Sequence, residues 1–102
     1  MEKILKKNEE LIKNHLFRDI NRTNCKNLIK KAKLILRETQ VDQFYYESLE
    51  SAVDFKETVY EMTLPEFLLF ICRVSQEAFI KEQISFDKKL DKCLEILLKS
   101  VG

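Results

Sequence analysis

Turn-forming residues are almost missing from this chain: its 102 residues hold one glycine and one proline, and no tryptophan at all. A many-stranded sheet needs more punctuation than that, so the composition favours helices. No apolar run approaches the roughly 20 residues that span a bilayer. The start, Met1-Glu2-Lys3-Ile4-Leu5-Lys6-Lys7, has no secretory apolar stretch. The chain is therefore expected to stay in the cytosol or a compartment continuous with it. Cysteine is scarce and unpaired: Cys25, Cys72 and Cys93 lie far apart and are odd in number, which argues against a disulfide framework. A zinc site built from the three thiols and His15 would lack the usual pair of ligands from one short turn. Buried thiols on apolar helix faces are the expectation instead. His15, beside Asn14 in a polar stretch, reads as a surface residue.

Catalytic patterns are missing too. No Ser, Cys or Lys nucleophile has a spaced base, no glycine-rich phosphate loop occurs, and no His-Glu metal spacing is present. A non-enzymatic chain without cofactor or metal is the expectation. Acidic pairs such as Glu9-Glu10 or Asp87 with Asp91 belong to amphipathic helices and read as solvated.

What is present is globular material, 45% hydrophobic and 34% charged, in a length that supports one domain whose core involves most of its helices. The apolar spacing predicts five helices. The first covers about 2 to 18 (Ile4, Leu5, Leu11, Ile12, Leu16), with a loosely packed, peripheral beginning. The second covers about 24 to 38, with Cys25, Leu28, Ile29, Ala32, Ile35 and Leu36 inward and Asn21, Thr23 or Asn24 as cap. The third runs from Val41 or Asp42 to Ala52, with Phe44, Tyr45, Leu49 and Val53 as burial candidates, and gives way to an irregular acidic stretch in which Thr58 to Met62 form a short extended piece. The fourth, about 64 to 80, opens with Thr63 as N-cap, Pro65 in the first turn and Glu66 completing a capping box. It is apolar on nearly every side, interrupted by Arg73, which is expected to snorkel to an edge. The fifth, about 86 to 100, is capped by Ser85 and spaces Phe86, Leu90, Cys93, Leu94, Leu97 and Val101 along one seam that closes the core on the fourth.

The net charge of +1 hides an asymmetry. Residues 1 to 40 carry eleven Lys or Arg against five acids, whereas residues 41 to 66 carry one lysine against seven acids. The folded domain should therefore have a positive and a negative region. Lys26, Lys30, Lys33 and Arg37 recur at four, three and four residues, with Lys31 flanking them, which would line one side of a continuous second helix with cations. A solvated outer face explains that stripe as economically as binding does. If it binds, the partner is acidic: tubulin tails, another acidic protein surface, or nucleic-acid phosphates. The acidic 41 to 66 segment disfavours nucleic acid.

Residues 62 to 67, Met-Thr-Leu-Pro-Glu-Phe, resemble the exit of an EF-hand loop into its second helix. Counting back from Glu66 as the last loop position puts Phe55 first, Glu57 third, Val59 fifth and Tyr60 sixth. A calcium loop requires oxygen ligands at the first, third and fifth positions and glycine at the sixth, and only Glu57 fits. The reading is an all-α, single compact five-helix domain with an EF-hand-like helix-loop-helix whose loop is degenerate.

Three stretches carry a wider resemblance: Cys25-Lys26-Asn27-Leu28-Ile29-Lys30-Lys31-Ala32-Lys33-Leu34-Ile35, then Val41-Asp42-Gln43-Phe44, then Met62-Thr63-Leu64-Pro65-Glu66-Phe67. In order and spacing, over about residues 15 to 98, they resemble the tubulin-polymerisation-promoting protein family. That resemblance implies a microtubule or axoneme (ciliary) association without enzymatic activity. Two expectations follow. One is a cytoskeletal scaffold subunit whose Lys26, Lys30, Lys31, Lys33 and Arg37 meet an acidic partner. The other is a calcium-independent adaptor, unrelated to microtubules, that takes a partner helix in an apolar groove beside Phe67, Phe70 and Phe79. A calcium sensor is a third reading, which a calcium titration would address.

Overall fold

A computed structural model describes residues 2–17, 20–49 and 62–101. All regular structure in them is helical: α1 (Glu2–Leu11) running on into a π-helical turn (Ile12–Leu16), α2 (Arg22–Lys31), α3 (Glu38–Glu47), α4 (Leu64–Ala78) and α5 (Phe86–Val101). No helix among the described residues is long and apolar enough to cross a membrane. The expected calcium-type loop from Phe55 to Tyr60, the extended piece begun at Thr58, and the stretch to Ala52 and Val53 lie outside the described residues.

The π turn is closed by the Phe17 amide donating to the Ile12 carbonyl at 2.8 Å. Ile12 and Leu16, four residues apart, fall on one buried face, and Lys13, Asn14 and His15 are exposed. Ile4 and Leu5, nearer the start, are partly buried and pack against the core. Beyond the turn, Ile20 is buried and its carbonyl accepts from the Met62 amide at 2.8 Å, which ties the approach to α2 to the approach to α4.

Helix α2 starts where Asn21 Oδ1 accepts from the Asn24 amide at 2.9 Å. It stops at Lys31, not near residue 38. The Leu34 amide reaches back to the Ile29 carbonyl at 3.3 Å and the Lys33 amide to the Lys30 carbonyl at 3.1 Å, while Lys33 takes φ 58°. This is a Schellman end with a lysine in the left-handed position usually held by glycine. Helix α3 therefore begins at Glu38, earlier than the apolar spacing indicates, and the Gln40 side chain accepts from the Arg37 amide at 2.9 Å. It ends at Glu47, where the Ser48 hydroxyl donates to the Phe44 carbonyl at 2.7 Å.

The capping box of α4 forms as expected: the Thr63 amide donates to Glu66 Oε1 at 2.8 Å and the Glu66 amide to Thr63 Oγ1 at 3.4 Å. Glu66 is buried while doing so. Ser85 caps α5 by accepting from the Lys88 amide at 3.4 Å. Helices α4 and α5 pack on one another, and α5 also meets α1, the π turn and α2, while α3 lies on α2 and α4. Into that junction go Phe67, Phe70, Ile71 and Val74 from α4 and Leu90, Cys93, Leu94 and Leu97 from α5. Arg73 leaves the apolar surface of α4 at its exposed edge and pairs with Glu47 at 3.1 Å.

Candidate docking surface

Two of the five cations picked out in the sequence are paired with carboxylates of α3. Lys26 Nζ lies 3.0 Å from Asp42 Oδ2, and Arg22 adds its Nε at 4.0 Å from Asp42 Oδ1 while its Nη1 donates to the Tyr46 hydroxyl at 2.8 Å. Lys30 Nζ lies 2.6 Å from Glu38 Oε1. The hydrogen bond and charge of Lys30, with the charge of Lys26 behind them, hold the Glu38 carboxyl below its ordinary range. These contacts clamp α2 to α3 in the antiparallel arrangement that the short connection demands.

The remaining three, Lys31, Lys33 and Arg37, are exposed and form no ion pair among the described residues. A single cationic line along one helix is not what the structure shows. Lys33 and Arg37 lie past the end of α2, in the connection that the Schellman turn opens. The stripe is broken into a part on α2 paired with α3 and a part around the turn that is exposed and unpaired among the described residues.

The aromatic trio is divided in the same way. Phe67 and Phe70 are 0% and 1% exposed, stack with centroids 6.4 Å apart, and belong to the core. Phe17 packs on Phe67 with centroids 5.8 Å apart. Neither Phe67 nor Phe70 lines a groove open to a partner among the described residues. Phe79 does: it is the C-cap of α4, half buried, with Lys92 Nζ 5.7 Å from its ring centroid.

Phe79 stands on one wall of a groove of about 710 Å³ whose opposite wall is the Leu34-Ile35-Leu36-Arg37 connection. Gln40 Nε2 donates to Glu77 Oε1 at 3.0 Å and so ties the two walls together. The size lies in the range of about 300–1,000 Å³ common for ligand sites. Two of its apolar lining side chains are largely exposed: Ile35 is 92% exposed and Ile80 58%. Ile35 reads as an inward residue only if α2 continues to residue 38, so the break at Lys33 turns a core candidate outward. A sequence signal for this does exist, since Leu34, Ile35 and Leu36 in succession cannot all face the same side of one helix.

All three cysteines are buried free thiols. Burial pushes Cys25 and Cys93 up to about 12, the nearby Cys72 adding to the effect at Cys93, and it also raises Cys72. Such thiols are poor nucleophiles and poor metal ligands. His15 stands exposed on the π turn, and no cluster of His, Cys, Asp and Glu suited to a metal ion occurs among the described residues. Compared with protein-family models, with curated proteins and with solved structures, the chain matches none.

Proposed function

We propose that this chain is a non-catalytic scaffold domain that docks an acidic protein surface through the cations around the α2–α3 turn. The observation that carries the reading is the division of the basic residues. Lys26 and Lys30 are neutralised by Asp42 and Glu38, while Lys31, Lys33 and Arg37 stay exposed and unpaired among the described residues. The likeness of the sequence to the tubulin-polymerisation-promoting proteins makes microtubules, with their acidic tails, the first partner to test, in the cytoplasm, at the cytoskeleton or in a cilium. An EF-hand-like pairing of α3 and α4 that works without calcium is part of the same proposal.

The test is co-sedimentation with microtubules across a salt series. Pelleting of the wild-type chain should fall as salt rises, because exposed charges more than about 10 Å apart are screened at 0.1 M. Joint reversal of Lys31, Lys33 and Arg37 to glutamate should abolish it with the helical content unchanged. Salt-independent pelleting, or pelleting that survives the triple reversal, defeats the reading, and absence of pelleting by the wild type removes microtubules as the partner. A second reading, a calcium-independent adaptor unrelated to microtubules, draws support from the groove beside Phe79 and retains that residue of the expected trio. Thermal stability that does not change on adding calcium agrees with both; a calcium-dependent rise would favour a sensor over either.

A further inference from the structure

We infer that the groove between the 34–37 connection and the end of α4 seats an apolar side chain of the partner segment, so that the partner is an acidic stretch interrupted by a bulky aliphatic residue. The inference rests on the acidic-partner reading and adds to it the identity of what sits between the charges. Two observations meet here. Ile35 and Ile80, on separate connections, are the two most exposed large apolar side chains among those described, and both line this one groove. Isolated exposed apolar residues are ordinary; two converging on a walled depression mark a recognition surface.

The charges at the rim say which kind of segment fits. Glu82 is already paired with Lys92 at 2.9 Å, whereas Arg37 and Lys81, both exposed, have no ion pair among the described residues. Glu77 is the one rim carboxylate without a cation, and it is held by Gln40. With Arg37 and Lys81 set against Glu77, the rim is left with one excess positive charge. An apolar anchor flanked by carboxylates satisfies walls and rim together; a basic or purely aliphatic segment satisfies one of them. The second cavity, between α1 and α5 beside Leu94 and Leu98, lacks this feature, since its Lys99 is already paired with Glu95 at 3.0 Å.

Two fluorescein-labelled peptides separate this inference from the reading beneath it: a polyglutamate with a single central leucine, and the same peptide with serine there. Fluorescence anisotropy with the full chain should show the leucine peptide binding about tenfold or more tightly, the ratio expected from burying one aliphatic side chain. Raising salt should weaken both peptides and leave the ratio standing. Ile35→Ser and Ile80→Ser, at exposed positions that folding does not depend on, should bring the ratio to about one while leaving the serine peptide's affinity unchanged. Arg37→Glu with Lys81→Glu should weaken both peptides alike. Equal affinity of the two peptides for the wild-type chain overturns the inference and leaves charge docking intact. Failure of both peptides to bind overturns both. A dimer of the chain that forms at assay concentration and is broken by Ile35→Ser assigns the groove to a second copy and also overturns it.

Discussion

Replacing Phe67 by alanine distinguishes a core residue from a docking residue. Phe67 is 0% exposed, with Phe70 stacked at 6.4 Å between centroids and Phe17 tilted at 5.8 Å. Truncation removes the transfer free energy of the ring and leaves a cavity beside Phe17 and Phe70, for which phenylalanine-to-alanine changes cost about 3–5 kcal/mol. Two ring contacts, each worth about 0.5–1.5 kcal/mol beyond area, place this site in the middle of that range or above, at about 4 kcal/mol. A domain of this length has a total stability of roughly 5–15 kcal/mol, so the variant loses a large share of it. Urea unfolding followed by far-UV circular dichroism reads the loss directly. With an m value of about 1–3 kcal/mol/M, unchanged by the mutation, the midpoint should fall by roughly 1.3–4 M. Ile35→Ala, at a side chain that is 92% exposed, is the internal comparison and should stay within about 0.5 kcal/mol of wild type. A loss below about 1 kcal/mol at Phe67 would refute its burial against Phe17 and Phe70.

Other outcomes follow from the caps, the turn and the buried thiols. Thr63→Ala should cost about 1 kcal/mol in the same urea experiment, with Thr63→Ser restoring most of it, because only the hydroxyl that accepts from the Glu66 amide is lost. Lys33→Gly should stabilise by about 0.5 kcal/mol, since relief of a left-handed backbone worth about 1–2 kcal/mol outweighs the entropy of glycine; a loss of stability would contradict the positive φ. Cys25 and Cys93 should resist iodoacetamide at mildly alkaline pH until the chain unfolds. Their folded values of about 12 stand above the ordinary 9.0, so their contribution is complete below 9.0 and declines as pH rises towards 12, by on the order of 1 kcal/mol per pH unit for each thiol. Alkaline unfolding should be less steep in Cys25→Ala. The Glu38 carboxyl, followed by NMR, should titrate below the usual carboxylate range and return to it in Lys30→Ala; its pairing holds above the ordinary value and is lost as pH falls through the lowered one.

The helices that sequence reasoning placed best are those whose ends are written in local chemistry. Thr63, Pro65 and Glu66 state the start of α4 within four residues, and Ser85 states the start of α5. The seam Leu90, Cys93, Leu94 and Leu97 has no conflict between its spacing and its burial. Helix α2 lacks such a mark at its end. A Schellman turn is ordinarily legible because glycine occupies the left-handed position, but here a lysine does, inside a run whose apolar residues continue at helical intervals for several more positions. The π turn is equally silent, since its sequence, Ile-Lys-Asn-His-Leu, is compatible with an ordinary helical face and only the hydrogen bond from Phe17 to Ile12 declares the wider ring.

That one unmarked turn decides how the candidate surface differs from its sequence reading. With α2 unbroken to residue 38, Ile35 and Leu36 would face the core and Lys26, Lys30, Lys33 and Arg37 would share one outer side. Ending the helix at Lys31 reverses the chain, brings Asp42 and Glu38 of α3 against Lys26 and Lys30, and leaves Lys33 and Arg37 beside an outward Ile35. Among the described residues, part of the basic half is thus paired locally at α2 and α3, by Asp42 and by the exposed Glu38. Among the described residues, Lys31, Lys33 and Arg37 stay unpaired, and the exposed Ile35 lies among them. Charge counted along the chain measures the whole of the asymmetry; docking can use only the part that folding has not already paired, and that part is set by where a turn with no glycine happens to fall.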